Sequence, residues 1–117
     1  MNNMQNGKKG EDAALEYLLK NGYAYRERNF RAARCEIDLI VMDCDTVVFV
    51  EVKSRHGSSY GLGREAVTFA KQKHIIRAAE LYLIKAGLTD SFARFDVVEV
   101  DLDAMNIVHF KDAFRPD

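Results

Sequence analysis

Asp38, Glu51 and Lys53 are the residues of this chain whose types and spacing can do chemistry. They fall in two apolar, β-branched runs, Glu36 to Met42 and Val47 to Lys53, that flank the polar stretch Asp43-Cys44-Asp45-Thr46. That is the pattern of a β-hairpin. Whether residues 43 to 46 form the loop or only Cys44 and Asp45 do, cross-strand partners carry numbers that sum to 89, which sets Asp38 opposite Glu51 and Glu36 opposite Lys53. Side chains alternate along a strand, so Glu36, Asp38, Glu51 and Lys53 are expected on one face and Ile37, Leu39, Val50 and Val52 on the other.

Directly opposed residues have Cβ atoms about 5 Å apart, and like charges at that distance destabilise the pair unless positive charge sits between them. Lys53 supplies one charge, and a divalent cation supplies two. Carboxylate oxygens suit a hard cation such as Mg²⁺, and such a cation beside a lysine is a means of hydrolysing a phosphodiester. An Asp followed ten to thirty residues later by Asp/Glu-x-Lys arises roughly once by chance in a chain of this length. Spacing alone therefore carries little. The shared register in adjacent apolar strands carries more, because a merely solvated hairpin face more often alternates its signs.

The elements that position these residues are read from the rest of the chain. At 117 residues it has a single-domain length, 1–117, able to bury about two-thirds of its unfolded surface. No apolar run approaches the roughly 20 residues of a membrane span, and the polar start Met-Asn-Asn-Met-Gln-Asn lacks the apolar core of a secretory signal. A cytoplasmic protein is the expectation, with no membrane partner. Cys35 and Cys44 would lie roughly 30 Å apart along the hairpin at the usual strand rise, beyond disulfide reach. Two cysteines and the scattered His56, His74 and His109 give no zinc-ligand spacing.

The net charge of −1 argues against indiscriminate nucleic-acid binding, but it conceals a division along the chain. Residues 20–35 carry five basic side chains against one acidic, residues 53–77 six against one, and residues 86–117 three against seven. Positive charge thus flanks the hairpin, as expected for a surface that meets phosphates. Arg31, Arg34, Arg55, Lys71, Lys73 and Arg77 are the candidate phosphate contacts; a merely solvated face is the alternative.

Gly10 to Asn21 reads as a helix closed by Gly22, with Ala14, Leu15, Leu18 and Leu19 as its apolar stripe. Glu11 would project from the inward side of its first turn, where an acid suits the helix dipole. Tyr23 to Phe30 reads as a strand, and Arg31 to Arg34 as a basic link into the hairpin. After Lys53, Ser54 to Gly63 is rich in glycine and serine and reads as a loop. Thr68 is a candidate N-cap for a helix ending near Ala86, with Gly87 after it. Its inward stripe is Phe69, Gln72, Ile75, Ile76, Ala79, Tyr82 and Leu83, of which Gln72 is the polar member. Phe92 to Val100 and Ile107 to Phe110 complete the strands, joined by an acidic turn. Central strands with one helix before and one after imply a layered α/β domain.

With those residues in hand, the chain resembles the YraN-like family of small bacterial proteins, nucleases by expectation and similar to archaeal Holliday junction resolvases and the restriction-endonuclease-like superfamily. The likeness runs from about Gly10 to Val100. It rests on Gly10-Glu11 with Ala14 and Leu18, Arg28-Asn29-Phe30-Arg31, Glu36-Ile37-Asp38-Leu39-Ile40, Phe49-Val50-Glu51-Val52-Lys53-Ser54-Arg55, Lys71-Gln72 and Arg94-Phe95-Asp96-Val97. Two positions depart from the usual pattern: Ile37 stands where many superfamily members have proline, and Cys35 where this family usually has glycine.

The resemblance implies a restriction-endonuclease-like α/β/α domain with a central mixed sheet of about five strands. It implies Asp38 and Glu51 as metal-binding acids, Glu11 as the helix glutamate completing the metal site, Lys53 as catalytic lysine and Gln72 as the second-helix glutamine. The function it implies is a Mg²⁺-dependent DNA endonuclease, with Mn²⁺ as an alternative cation and branched or structured DNA as a candidate substrate. By analogy with resolvases, a homodimer is expected. A nucleic-acid-binding module without chemistry, or a protein-interaction domain, are the competing readings, and metal binding separates the first from both.

Overall fold

The computed structural model describes residues 3–57 and 66–116. The elements run α1 (Asn3–Lys20), β1 (Ala24–Ala32), β2 (Cys35–Asp43), β3 (Thr46–Arg55), α2 (Phe69–Ala86), β4 (Phe92–Asp101) and β5 (Ile107–Phe114). All five strands form one mixed sheet in the order β1-β2-β3-β4-β5. The β3–β4 pair is parallel, joined through α2, and the other three pairs are antiparallel. Short turns give antiparallel neighbours and the helical crossover gives the parallel pair, as chain geometry requires.

The two helices cover opposite faces. Ala14 and Leu18 of α1 bury against Leu39, Val41, Val48, Val50, Val98 and Val100. Ile75, Ala78, Ala79 and Tyr82 of α2 bury against Ile37, Ile40, Phe49, Phe95 and their neighbours, where Phe49, Phe95 and Phe114 stack in sequence. The result is the layered α/β arrangement expected. Among the described residues, no helix is long and apolar enough to cross a membrane. Both cysteines are free, Cys35 buried and Cys44 exposed.

Helix boundaries follow their caps. The Gly22 amide bonds to Leu19 and the Tyr23 amide to Leu18, closing α1 with glycine at φ +88°. Thr68 accepts from the Lys71 amide at the start of α2, and Gly87 closes it at φ +70°. The start of α1 differs from expectation: it is Asn3, not Gly10, so Glu11 lies well inside the helix and not in its first turn. The polar segment before Gly10 carries no apolar stripe, which is the signal the sequence reading depends on. Phe69, expected in the inward stripe of α2, is 58% exposed. Arg31 to Arg34, expected as a link, is itself a hairpin: Ala32 pairs with Cys35 across Ala33 and Arg34, both left-handed. Ser54 and Arg55 extend β3, His56 and Gly57 follow it in a bend, and residues 58 to 63 of the expected loop lie outside the described residues.

Candidate metal and active site

The β2–β3 hairpin turns on Cys44 and Asp45, with Cys44 at φ +55°, and Asp43 pairs with Thr46. Its register is the one expected, with Val41 against Val48 and Leu39 against Val50, but the ladder stops there. Beyond that pair the strands part. β3 stays with β4, Glu51 beside Val97 and Lys53 beside Glu99, while β2 stays with β1. The Asp38 carboxylate fills the start of the gap, its Oδ2 accepting the Val52 amide at 2.7 Å. An acid therefore stands where a β2 carbonyl would otherwise accept, so the amide keeps a partner as the strands separate.

Asp38 also faces Glu51, close enough for the two carboxyl groups to share a hydrogen bond. Burial and the adjacent Glu51 charge push the Asp38 pKa up to about 8. Glu51 itself is only 7% exposed, and two ammonium groups approach its Oε2, Lys53 at 3.8 Å and Lys71 at 3.9 Å. These are long contacts. Both ammonium groups approach Glu51, and Asp38 has no cationic partner at this distance among the described residues.

A second group of acids approaches Asp38 from the α1 side. Gly10 is buried where α1 crosses β3; a Cβ built there would lie 1.7 Å from the Ser54 Oγ and 3.0 Å from its Cβ. Any larger residue would have to displace the Ser54 hydroxyl, so glycine favours this close crossing, which carries Glu11 to the gap. Donor oxygens of Glu11, Glu36 and Asp38 all lie within 4.8 Å of one another. Arg28 Nε and Asn29 Nδ2 each donate to Glu11 Oε1 at 3.1 Å. The arrangement is all oxygen, anionic and open to a groove of about 810 Å³ that Lys8, Glu11, Arg28, Asn29, Arg31 and Glu36 help to line. That donor set fits a hard divalent cation.

Glu36 is placed differently from the expectation. It does not meet Lys53; it pairs on β1 with Arg31, whose Nε donates to Glu36 Oε2 at 2.9 Å. The single charged face foreseen for the hairpin is also divided. Ile37 packs under α2 and Leu39 under α1, so side-chain alternation slips between them. Asp38 stands at the slip, with Glu11 and Glu36 on one side and Glu51, Lys53 and Lys71 on the other.

Gln72 lies in the first turns of α2, where its Nε2 donates to the Val67 carbonyl at 2.9 Å. Among the basic candidates, Arg34 is exposed at the β1–β2 turn and Arg31 is 83% exposed beside Glu36. Lys71 borders the acids, Lys73 lies over the Phe69 ring and Arg77 has Glu80 at 3.9 Å. Arg55 turns inward to the fully buried Glu99 at 2.9 Å, so its charge is already matched. Cys35 is not left-handed; the positive φ values fall at Ala33 and Arg34, so this turn needs no glycine at 35. Asn29 and Glu36 are the site residues that sequence reasoning left outside its candidate set.

A mixed sheet between two helices, opening between its second and third strands onto carboxylates flanked by lysines, defines a layered α/β domain with an acidic cluster able to take a metal. Residues 10–100 match the family described as "Uncharacterised protein family UPF0102". The chain is 42% identical over 111 residues to a UPF0102 protein of Persephonella marina, covering 95% of this chain and 94% of the relative. It is 44% identical over 117 residues to one of Clostridium tetani, covering 97% and 96%. To one of Clostridium botulinum it is 45% identical over 114 residues, covering 93% of each. This chain belongs to the UPF0102 family, the YraN-like family that its motifs resemble.

Proposed function

We propose that this protein is a metal-dependent DNA endonuclease that hydrolyses phosphodiester bonds with Mg²⁺ or Mn²⁺, and that branched or otherwise structured DNA is its substrate class. The observation that carries the reading is the half-buried Asp38 facing the buried Glu51, with Lys53 and Lys71 beside Glu51. Acids held together in a partly desolvated gap are a costly arrangement that a cation would relieve.

In this reading Asp38, Glu51 and Glu11 hold the cation through their oxygens. A divalent cation bound there supplies charge stabilisation at the phosphoryl group and a nucleophile at neutral pH. Lys53 orients the attacking water and places positive charge beside the scissile phosphate. Lys71, on the same side as Lys53, adds charge that draws the phosphate in. Arg31 and Arg34, at the exposed end of the β1–β2 hairpin, hold the backbone on either side of the reacting group. Gln72, in the first turns of α2 and bonded to the Val67 carbonyl, completes the set.

The test is cleavage of duplex, flap, single-stranded and four-way-junction DNA by the purified protein, with and without Mg²⁺. Wild type should cut at least one substrate only with metal. Lys53→Ala should lose cleavage by on the order of 10²-fold or more while keeping DNA affinity within a few-fold. Glu51→Ala should lose cleavage and metal affinity together. No cleavage of any substrate, or cleavage undiminished in both variants, removes the enzyme reading in favour of a binding module.

A further inference from the structure

The segment Arg28-Asn29-Phe30 belongs to none of the roles assigned above, yet its backbone does something that neighbouring residues do not. Asn29 sits inside β1 at φ +53°, between the paired positions Arg28↔Leu39 and Phe30↔Ile37, which makes it the residue across from Asp38. A left-handed residue within a strand rotates the chain so that its two flanking side chains no longer share a face. That rotation is seen here. Arg28 reaches Glu11 and Asp12 of α1, while Phe30 packs under α2 against Tyr82. β2 slips at the same level, between Ile37 and Leu39. Both strands thus change face together at the Asn29 and Asp38 level, which leaves Asp38 accessible to acids from both sides of the sheet.

The side chain at that position is specific as well. Asn29 Nδ2 lies 3.1 Å from Glu11 Oε1 and 3.4 Å from Glu36 Oε1. An amide nitrogen carries two hydrogens, so one group serves both carboxylates. On Glu11 both donors, Asn29 and Arg28, converge on Oε1. Oε2 is thereby left for another partner. On Glu36, Asn29 meets Oε1 while Arg31 meets Oε2.

We propose that Asn29 is the positioning residue of this acidic cluster: its left-handed backbone turns the strand pair so that Asp38 meets the acids of both faces, and its amide holds Glu11 and Glu36 at the spacing a divalent cation takes. This rests on the metal-dependent reading above and adds a role to it. The choice of residue follows from charge. A lysine or arginine here would neutralise the carboxylates and compete with the cation. A neutral amide fixes their geometry and leaves the net negative charge in place. Asparagine is also one of the few residues other than glycine that adopts left-handed backbone readily.

Asn29→Gly separates the two contributions, since glycine accepts φ +53° and removes only the amide. Mn²⁺ binding is measured by electron paramagnetic resonance titration and by calorimetry on wild type, Asn29→Gly, Glu11→Gln and the double variant, with circular dichroism melts as the check on folding. Asn29→Gly should melt like wild type and bind Mn²⁺ about tenfold or more weakly, the scale of a group that orients a ligand. In the Glu11→Gln background the same substitution should cost less than in wild type, because one of the two carboxylates through which it acts has gone. Wild-type affinity in Asn29→Gly, or losses that simply add in the double variant, would overturn the positioning role while leaving the metal site standing. Failure of wild type itself to bind Mn²⁺ would remove the metal reading and this role with it. A second measurement covers the case of an unfolded Asn29→Gly. The side-chain amide protons of Asn29 in wild type should shift on adding Mg²⁺ and in Glu11→Gln; signals indifferent to both would refute the proposal.

Discussion

Two aspartates of the same sheet, the fully buried Asp96 and the half-buried Asp38, are treated in opposite ways. Asp96 is fully buried in β4, where Arg94 donates to both its oxygens at 2.9 Å, His109 approaches at 2.7 Å and the Asp112 amide donates at 3.0 Å. Burial by itself would raise its pKa, but the His109 and Arg94 hydrogen bonds and the Asp112 amide outweigh that, and the pKa is lowered. Arg94 in turn bonds Asp43 and Tyr23, and Tyr17 meets the other nitrogen of His109. Asp38 has one backbone donor and another acid in front of it, and its pKa rises to about 8. The fold is thus able to satisfy a buried carboxylate completely, and does so at Asp96. The shortfall at Asp38 is local, in the gap where β2 leaves β3, which is where a ligand rather than a side chain would complete the set.

The comparison breaks most visibly at Asp96. Asp96→Ala should destabilise by roughly 3–5 kcal/mol, since it strands Arg94 and His109 in the interior without their common partner. Denaturant unfolding measures it, and a loss under about 1 kcal/mol would mean the network is not what holds β4 and β5 together. Asp38→Asn in the metal-free protein should move the other way, because it removes one of two like charges.

That second effect has a pH signature. A carboxyl whose folded pKa is raised binds its proton more tightly in the native state, so native stability falls as pH rises from about 4 to about 8 and is level above that. Asp96, with a lowered pKa, contributes stability that is present above the ordinary carboxylate range and lost as pH falls below it. Metal-free wild type should therefore melt lower at pH 8 than at pH 5. Asp38→Asn should flatten that slope and gain on the order of 2 kcal/mol at pH 8. Melts in chelator across this range decide it: an unchanged slope in Asp38→Asn would show that the pair does not carry the strain assigned to it.

The sequence made one of these regions legible and concealed the other. The hairpin register followed from two apolar runs and a short turn as far as Leu39 and Val50, whereas the parting of the strands beyond that pair, which divides the charged face, did not. Caps announced themselves through Thr68, Gly22 and Gly87, each a residue chosen for one backbone task. Asn29 gave no such notice, because left-handed backbone inside a strand carries no glycine to flag it and the slip it causes involves pairing with β2. The role of Asp96 was hidden for a related reason: its partners Arg94, His109 and the Asp112 amide converge only once β5 lies against β4. Arg55 reads as a loop residue and phosphate contact and Glu99 as a charged strand residue, because their pairing in the interior depends on what covers them. Local pattern fixes an element's type, whereas compensation of a buried charge is a property of contacts between elements.

Arg31 and Arg55 carry the same contrast into DNA binding, with the smallest expected effect. Both are arginines within the positive segments that flank the hairpin, and sequence treats them alike. Arg31 is exposed, with a surface contact to Glu36, while Arg55 is committed to a fully buried Glu99. A phosphate contact releases condensed counterions, so each one adds about 0.9 to the slope of log affinity against log salt on duplex DNA. Arg31→Ala should lower that slope by about one contact and weaken binding similarly across sequences. Arg55→Ala should leave the slope unchanged and reduce stability instead, because Glu99 then lacks this partner in the interior. Fluorescence anisotropy over a salt series, paired with unfolding curves for both variants, distinguishes the outcomes. An equal loss of slope in the two would mean that Arg55 leaves Glu99 to meet DNA, and that a buried ion pair in this fold does not by itself identify a structural charge.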